Sequence, residues 1–209
     1  MAAYLVLLFA VLSRVLPHAF HLTGVNFTAV GGSLLFFGAR MGRARMKGAS
    51  MGSPWSFAPV GIAVALLAAT DYYLTVYAYG YPFQVSAYLV TWLWYAAICL
   101  LGRGLLERRA GWLRVGAAVL ASSTSFFLLS NFMVWAASGM YAKTLAGLGA
   151  CYVAALPFYA NDAISTTITV GLLFGLPALA KGMIEAMHGT QHGTHGSQYG
   201  SQHGNLPRA

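Results

Sequence analysis

The chain alternates long runs of apolar residues with short polar breaks, and the runs predict membrane-spanning helices. A span needs about 20 apolar residues, or fewer when the helix is short or tilted. Runs of suitable length and composition recur along most of the chain. They cover residues 2–16, 28–39, 57–74, 85–101, 115–137 and 163–180.

Two of the apolar segments allow a second interpretation. Residues 145–158 are apolar but short, and Pro157 ends the run, so we expect a re-entrant or interfacial segment before the last helix, with a seventh span as the alternative. The first run could instead be a signal peptide. However, no basic residue precedes it and no clear cleavage site follows it, so we expect a retained helix.

Composition agrees with a membrane protein of the all-α class. Hydrophobic residues make up 58% of the 209 residues and charged residues only 8%, against about 25% charged in soluble domains. Cys99 and Cys151 both lie in apolar runs, which argues against a disulfide framework. We therefore predict a bundle of about six transmembrane helices over residues 1–182.

The net charge of +8 is concentrated in a few loops, which makes it a topology signal. Basic loops remain in the cytoplasm. Six spans put the basic clusters on one side of an inner membrane and both termini in the cytoplasm, with contact to anionic lipid as a further consequence. Nucleic acid is therefore not an expected partner. The clustered basic residues are Arg40, Arg43, Arg45, Lys47, Arg103, Arg108, Arg109, Arg114 and Lys181.

Charged and polar groups inside the spans are the strongest signal of a site. Asp71 lies late in the third span, where a carboxylate costs about 2.5–3.5 kcal/mol. Arg14 lies late in the first span, so the two side chains are expected to meet, either as a structural pair or at a ligand. The candidate ligand-binding residues, grouped near the predicted outer face, are Arg14, His18, His21, Asn26, Asp71, Asn131, Trp135 and Lys143.

Other polar positions have simpler structural explanations. Asn131 and Trp135 lie four residues apart, on one helix face, and suit either a small-molecule site or helix packing. The small polar residues 122–125 favour close helix packing, as do Gly31, Gly32 and Gly38. Asn161 is expected to cap the last helix, with Asp162 in its first turn.

The C-terminal tail, residues 183–209, is rich in Gly, His, Gln and Ser. Such a composition buries little apolar surface, so we predict a disordered tail. Its repeated histidines would bind a transition metal weakly at most, and we expect neither a resident metal nor a cofactor.

Two blocks of the chain carry a family resemblance. The segment RVLPHAFHLTGVNFTAVGGSLLFFGA combines Arg14, Pro17-His18 and Asn26-Phe27-Thr28 with a glycine-rich apolar helix. It resembles the N-terminal signature of a family of uncharacterised bacterial membrane proteins. SNFMVWAASGMYAKTLAGLGACYVAALPFYAND is similar to that family's second block. The resemblance covers most of residues 13–180 and implies a multi-pass membrane protein without assigning a reaction.

A looser resemblance is to the S components of energy-coupling-factor vitamin transporters. The likeness consists of six predicted helices, a glycine-rich second helix, a basic loop and Asp71 late in the third helix. It implies a ligand pocket that opens outward, although the first span lacks a clear Ala-x-x-x-Ala spacing. A likeness of this kind concerns the fold and transfers function poorly.

These observations favour a small-molecule-binding or transport protein. The alternative is a non-catalytic accessory subunit of a larger membrane complex. An enzyme is not expected, because the sequence has no HExxH or GxSxG motif and no paired catalytic carboxylates.

Overall fold

The computed structural model describes residues 2–20, 28–41, 57–108 and 110–196, and within these ranges all regular secondary structure is helical. Short π-helical turns, Leu74–Ala78 and Gly171–Gly175, follow the third and sixth helices. The predicted all-helical class is confirmed for this part of the chain. The helices are α1 (Ala2–Ala19), α2 (Val30–Met41), α3 (Ala58–Tyr73), α4 (Val85–Leu106), α5 (Trp112–Ala137), α6 (Leu145–Val170) and α7 (Leu176–Gly196).

Several of these helices have the length and apolar composition needed to cross a membrane. In the described residues, four stretches qualify: Ala58–Ala78, Val85–Leu106, Trp112–Ala137 and Leu145–Met187. The first two predicted spans correspond to α1 and α2, which are apolar but shorter. Length and composition therefore indicate a membrane protein with four long helices and two short ones before them.

The prediction for the region before the last helix was wrong. Residues 145–158 do not form a separate re-entrant or interfacial segment, because α6 runs without a break from Leu145 to Val170 with Pro157 inside it. Proline is tolerated within membrane helices because neighbouring groups satisfy the backbone carbonyl that it leaves free. Asn161 and Asp162 consequently lie within α6 and do not begin a helix. Its actual N-cap is Thr144, whose side chain accepts a hydrogen bond from the Gly147 N–H at 3.1 Å.

The chain divides into two compact units, Met1–Gly171 and Leu172–Ala209. The first unit contains α1 to α6. In the second unit the helical backbone of α7 reaches Gly196, beyond the boundary at residue 183 that the composition predicted. Residues 197–209 lie outside the described residues, so the disorder of this end of the tail stays a prediction.

Helix α2 is the centre of the first unit and contacts each of its other five helices. All of its residues except Arg40 are buried. Glycine permits this close packing: a methyl group at Gly38 would overlap the backbone carbonyl of Cys99, and one at Gly102 would overlap that of Leu35. The predicted role of glycine in bringing helices together is confirmed, and it positions α4 directly against α2.

Candidate functional site

The predicted contact between Arg14 and Asp71 is present. The Arg14 Nη2 atom of α1 lies 2.5 Å from the Asp71 Oδ1 atom of α3. The Asp71 side chain is only 2% exposed and the Arg14 side chain 17%, so both charges are largely removed from solvent. An ion pair in this setting is needed because either charge alone would be expensive at this depth.

Two aromatic side chains of α4 complete the surroundings of the Asp71 carboxylate. The Trp92 Nε1–H donates to Oδ2 at 3.0 Å, and the Tyr95 hydroxyl donates to Oδ1 at 3.5 Å. Together with Arg14 these residues form what we call the Arg14–Asp71 cluster. The cluster joins α1, α3 and α4, and each carboxylate oxygen has at least one donor.

The turn that follows Asp71 is hydrogen-bonded to the end of α3 and to α4. The Thr75 hydroxyl donates to the backbone carbonyl of Asp71 at 2.7 Å and lies 2.5 Å from the Tyr88 hydroxyl. Thr75 belongs to the π-helical turn Leu74–Ala78. Such turns often occur at functional sites, and this one links the end of α3 to α4.

A cavity of about 200 Å³ adjoins the cluster in the interior of the first unit. Arg14 and Tyr95 belong both to the cluster and to the cavity wall. The rest of the wall is a mixture of aromatic rings, hydroxyl groups, one amide and one carboxylate. It consists of Thr28, Val30, Gly31, Trp94, Ser123, Phe126, Phe127, Ser130, Asn131, Phe158, Tyr159 and Asp162.

One donor of the Arg14 guanidinium, in a residue that lines the cavity, has no partner in the described part of the chain. Its Nη1 atom is buried and has no hydrogen-bond partner among the described residues, while Nη2 is bonded to Asp71. A buried donor without a partner is costly, by about 1–3 kcal/mol. A ligand acceptor beside Arg14 would remove this cost.

The aromatic wall is fixed by contacts between helices. The Trp94 Nε1–H donates to the Ser125 Oγ at 2.9 Å, and the Tyr159 and Thr124 hydroxyls lie 3.0 Å apart. The small polar residues of α5 therefore connect it to α4 and α6, which confirms their predicted role in helix packing. Cys151 and Cys99 are both buried and are not joined to each other.

The predicted site residues on α5 and the following loop are separated. Asn131 lines the cavity, with its side-chain amide donating to the Phe127 carbonyl at 2.8 Å. Trp135 instead donates to the Ala142 carbonyl at 2.9 Å. The Lys143 ammonium donates to the carbonyls of Trp135, of Ala136 at 3.1 Å and of Ser138 at 2.7 Å, and so caps the C-terminal end of α5. Trp135 and Lys143 form part of a helix end and do not line the cavity.

Of the three remaining predicted residues, His18 lies in the last turn of α1 and the other two follow in the break before α2. His18 is exposed and packs edge-on against Tyr79, with 5.3 Å between ring centroids. Its described ring contact is with Tyr79, and its role at a ligand site stays a prediction. His21 and Asn26 lie outside the described residues.

The C-terminal end of this break, at Thr28 and Ala29, is hydrogen-bonded to neighbouring helices beside the cavity. The Ala29 N–H donates to the Ser13 hydroxyl at 3.1 Å, and the Ser165 hydroxyl donates to the Thr28 carbonyl at 2.9 Å. These bonds tie the start of α2 to α1 and α6. Serine side chains of α1 and α6 thus fix the backbone where the chain enters the buried helix α2.

Sequence reasoning missed most of the cavity wall. Asp162 was assigned to a helix start, although a carboxylate within an apolar run is itself a signal of function. Trp94 and Tyr159 are aromatic residues in apolar helices, where packing and ligand contact give the same pattern. Their convergence could be found only from the three-dimensional arrangement of α4, α5 and α6.

The long apolar helices and the buried polar cluster define the class of a multi-helix membrane protein. Within that class, the chain belongs to the family of unknown function DUF6580, whose family model matches residues 1–187. No curated protein and no solved structure matches the chain.

Proposed function

We propose that this protein binds a small molecule within the membrane and acts in its transport across the bacterial inner membrane. The observation that carries the proposal is the cavity of about 200 Å³ lined by helices of the first unit. Ligand sites are concave, mostly apolar and supplied with a few polar groups that fix orientation. Arg14, Asn131 and Asp162 are such groups in a wall whose other residues are mainly aromatic or hydroxyl-bearing.

The Arg14–Asp71 cluster supports binding in preference to catalysis. Its two charges bind each other, and the carboxylate accepts further hydrogen bonds from Trp92 and Tyr95. These groups stabilise the geometry of the wall, and the Arg14 Nη1 atom remains a buried donor without a partner among the described residues. We therefore propose that the ligand is bound and released without chemical conversion.

A second cavity, of about 380 Å³, lies between α4 and α5 but fits a different occupant. Its wall is mainly aliphatic and aromatic and includes no charged side chain, with Val90, Leu129, Met133 and Val134 among its residues. A groove of this kind on a membrane helix pair suits a lipid chain. The smaller cavity is the better candidate site because charged and amide groups line it.

The proposed orientation has both termini in the cytoplasm. Its support is the concentration of arginine and lysine in the segments between α2 and α3 and between α4 and α5. In this orientation the basic segments face anionic lipid headgroups.

The proposal is tested by ligand-induced stabilisation of the purified full chain in mild detergent. A panel of metabolite-sized compounds is screened for an increase in the midpoint of thermal unfolding. A ligand present at 100 times its Kd stabilises the folded state by about 2.7 kcal/mol. The cavity variant Ser130→Phe adds a ring on the wall and is expected to abolish the shift that the wild type gives.

Val134→Phe is the matched control, since it adds a ring on the same helix at the wall of the second cavity only. It is expected to keep the ligand-induced shift. The proposal fails if no compound stabilises the wild type, or if every stabilising compound acts equally on Ser130→Phe.

A further inference from the structure

The charge inside the cavity wall is not balanced. Among the described residues, the ion pairs join Arg14 to Asp71, Arg103 to Glu107 and Lys181 to Glu185. Asp162 is the remaining acidic residue of the chain, and no described basic residue forms an ion pair with it. Since Arg14 is paired with Asp71, an ionised Asp162 carboxylate would give this region a net charge of about −1, and a bound cation would favour that ionised form.

Aromatic rings surround the same space. Trp94 and Phe126 have ring centroids 4.8 Å apart, and Phe127 and Tyr159 have centroids 4.9 Å apart. All four residues line the cavity together with Asp162. The face of an aromatic ring carries negative potential and attracts an organic cation, and rings combined in a cage recognise quaternary ammonium groups.

The Arg14 Nη1 atom favours a ligand that also carries a hydrogen-bond acceptor. It is a buried donor without a described partner, and its charge is already compensated by Asp71. A neutral acceptor on the ligand, such as a hydroxyl or carbonyl oxygen, would satisfy it without a second net charge. An anionic ligand would meet Arg14 but would also be placed in the field of Asp162.

The volume limits the size of the ligand. An apolar cavity of about 150 Å³ holds benzene, which has six non-hydrogen atoms. By proportion, the cavity of about 200 Å³ holds about eight. This excludes a vitamin-sized molecule unless the helices move apart.

We propose that the cavity binds a small organic monocation, with its ammonium group beside Asp162 and the aromatic rings and a hydrogen-bond acceptor beside Arg14. This inference rests on the proposed function, since it names the ligand class of the same site. Quaternary and primary amines of about eight non-hydrogen atoms are the matching chemical class.

The probe set consists of three molecules of nearly the same shape and different charge. Choline is the cation, 3,3-dimethylbutan-1-ol is its neutral carbon isostere, and 3,3-dimethylbutanoate is the anion. Their affinities for the full chain in detergent are measured by isothermal titration calorimetry. We expect choline to bind at least about tenfold more tightly than the neutral isostere, and the anion to bind most weakly.

Two variants test whether Asp162 and Phe127 cause the preference for the cation. Asp162→Asn should lower the affinity for choline at least about tenfold and leave that for the neutral isostere unchanged, which also shows that the variant is folded. Phe127→Leu should lower the affinity for choline more than the affinity for the isostere, because it removes an aromatic ring from the wall. Glu185→Gln is the matched control: this exposed carboxylate of α7 pairs with Lys181 at 3.6 Å and does not line the cavity.

The inference is overturned if choline fails to bind, if the isostere or the anion binds as tightly, or if Asp162→Asn leaves the choline preference intact. The proposed function has its own criterion. If other compounds still stabilise the wild type and Val134→Phe but not Ser130→Phe, whose position borders both cavities, the smaller cavity is a binding site and only the cationic ligand class is wrong.

Discussion

At the residue scale, the Arg14–Asp71 cluster shows how two charges are kept within an apolar bundle. Each alone would be expensive there, whereas the pair is joined by an ion pair of 2.5 Å and supported by the Trp92 indole. The pair could be predicted from the sequence, since Arg14 lies late in the first predicted span and Asp71 late in the third. Two such spans run in the same direction, so their ends lie at the same face of the membrane. Trp92 and Tyr95 could not be predicted, because the register between helices is not contained in the pattern of a single chain.

A double-mutant cycle tests the energetic coupling of this pair. Arg14→Met and Asp71→Asn should each lower the free energy of unfolding by about 1–3 kcal/mol, because each leaves the other group without its partner. The double variant should lose less than the sum of the two. The measurement is chemical unfolding of the four proteins in the same detergent.

The control cycle uses the exposed pair of α7, Lys181→Met and Glu185→Gln, whose side chains are 78% and 68% exposed. Its coupling should be about 0.3–0.5 kcal/mol, as for other solvent-exposed pairs in helices. Equal coupling in the two cycles, or strictly additive losses at Arg14 and Asp71, would show that the buried pair stabilises the fold no more than an exposed pair does.

At the element scale, apolar length predicted helices α1 to α5 but not the limits of α6. The sequence around Pro157 and Asn161-Asp162 contains a helix breaker followed by capping residues, which locally favour an interruption. In the structure, packing of α6 along α5 outweighs this local preference. Local signals end a helix reliably only where solvent can satisfy the freed backbone groups, and that condition fails inside a bundle.

The contact between α2 and α4 gives a sharp test of helix packing. Gly38→Ala should lower the free energy of unfolding by about 1–3 kcal/mol, because the added methyl group overlaps the Cys99 carbonyl. Gly104→Ala, on α4 with open space around the new methyl group, should be neutral or stabilise by up to about 1 kcal/mol. If both substitutions change the free energy of unfolding in detergent equally, α2 and α4 do not pack as closely at Gly38 as the structure indicates.

The tail is expected to be dispensable for folding. The family match ends at residue 187, and the glycine-rich and histidine-rich segment beyond it has little apolar surface to bury. A chain truncated after Met187 should unfold within about 2 °C of the full-length protein. A markedly lower midpoint in the same thermal scan would assign the tail a structural role.

At the scale of the whole molecule, the distribution of basic residues predicts its orientation in the membrane. Labelling of introduced cysteines by an impermeant thiol reagent in intact cells tests it. Ser50→Cys should remain unlabelled, because the predicted orientation puts this position in the cytoplasm. Gly139→Cys, in the exposed loop between α5 and α6, should be labelled from outside.

The native cysteines do not interfere with that test, since Cys99 and Cys151 are both buried. Labelling of Ser50→Cys without cell lysis, together with protection of Gly139→Cys, would reverse the orientation. Labelling of neither position would place both outside the reach of the reagent and contradict the six-span topology.

The most direct test of small-molecule binding is native mass spectrometry of the gently purified full chain. The account predicts a bound species of about eight non-hydrogen atoms in the wild type and in Val134→Phe, and its loss from Ser130→Phe. A wild-type protein without any bound small molecule, or the same bound species in Ser130→Phe, would contradict a ligand site in the cavity beside Arg14 and Asp162.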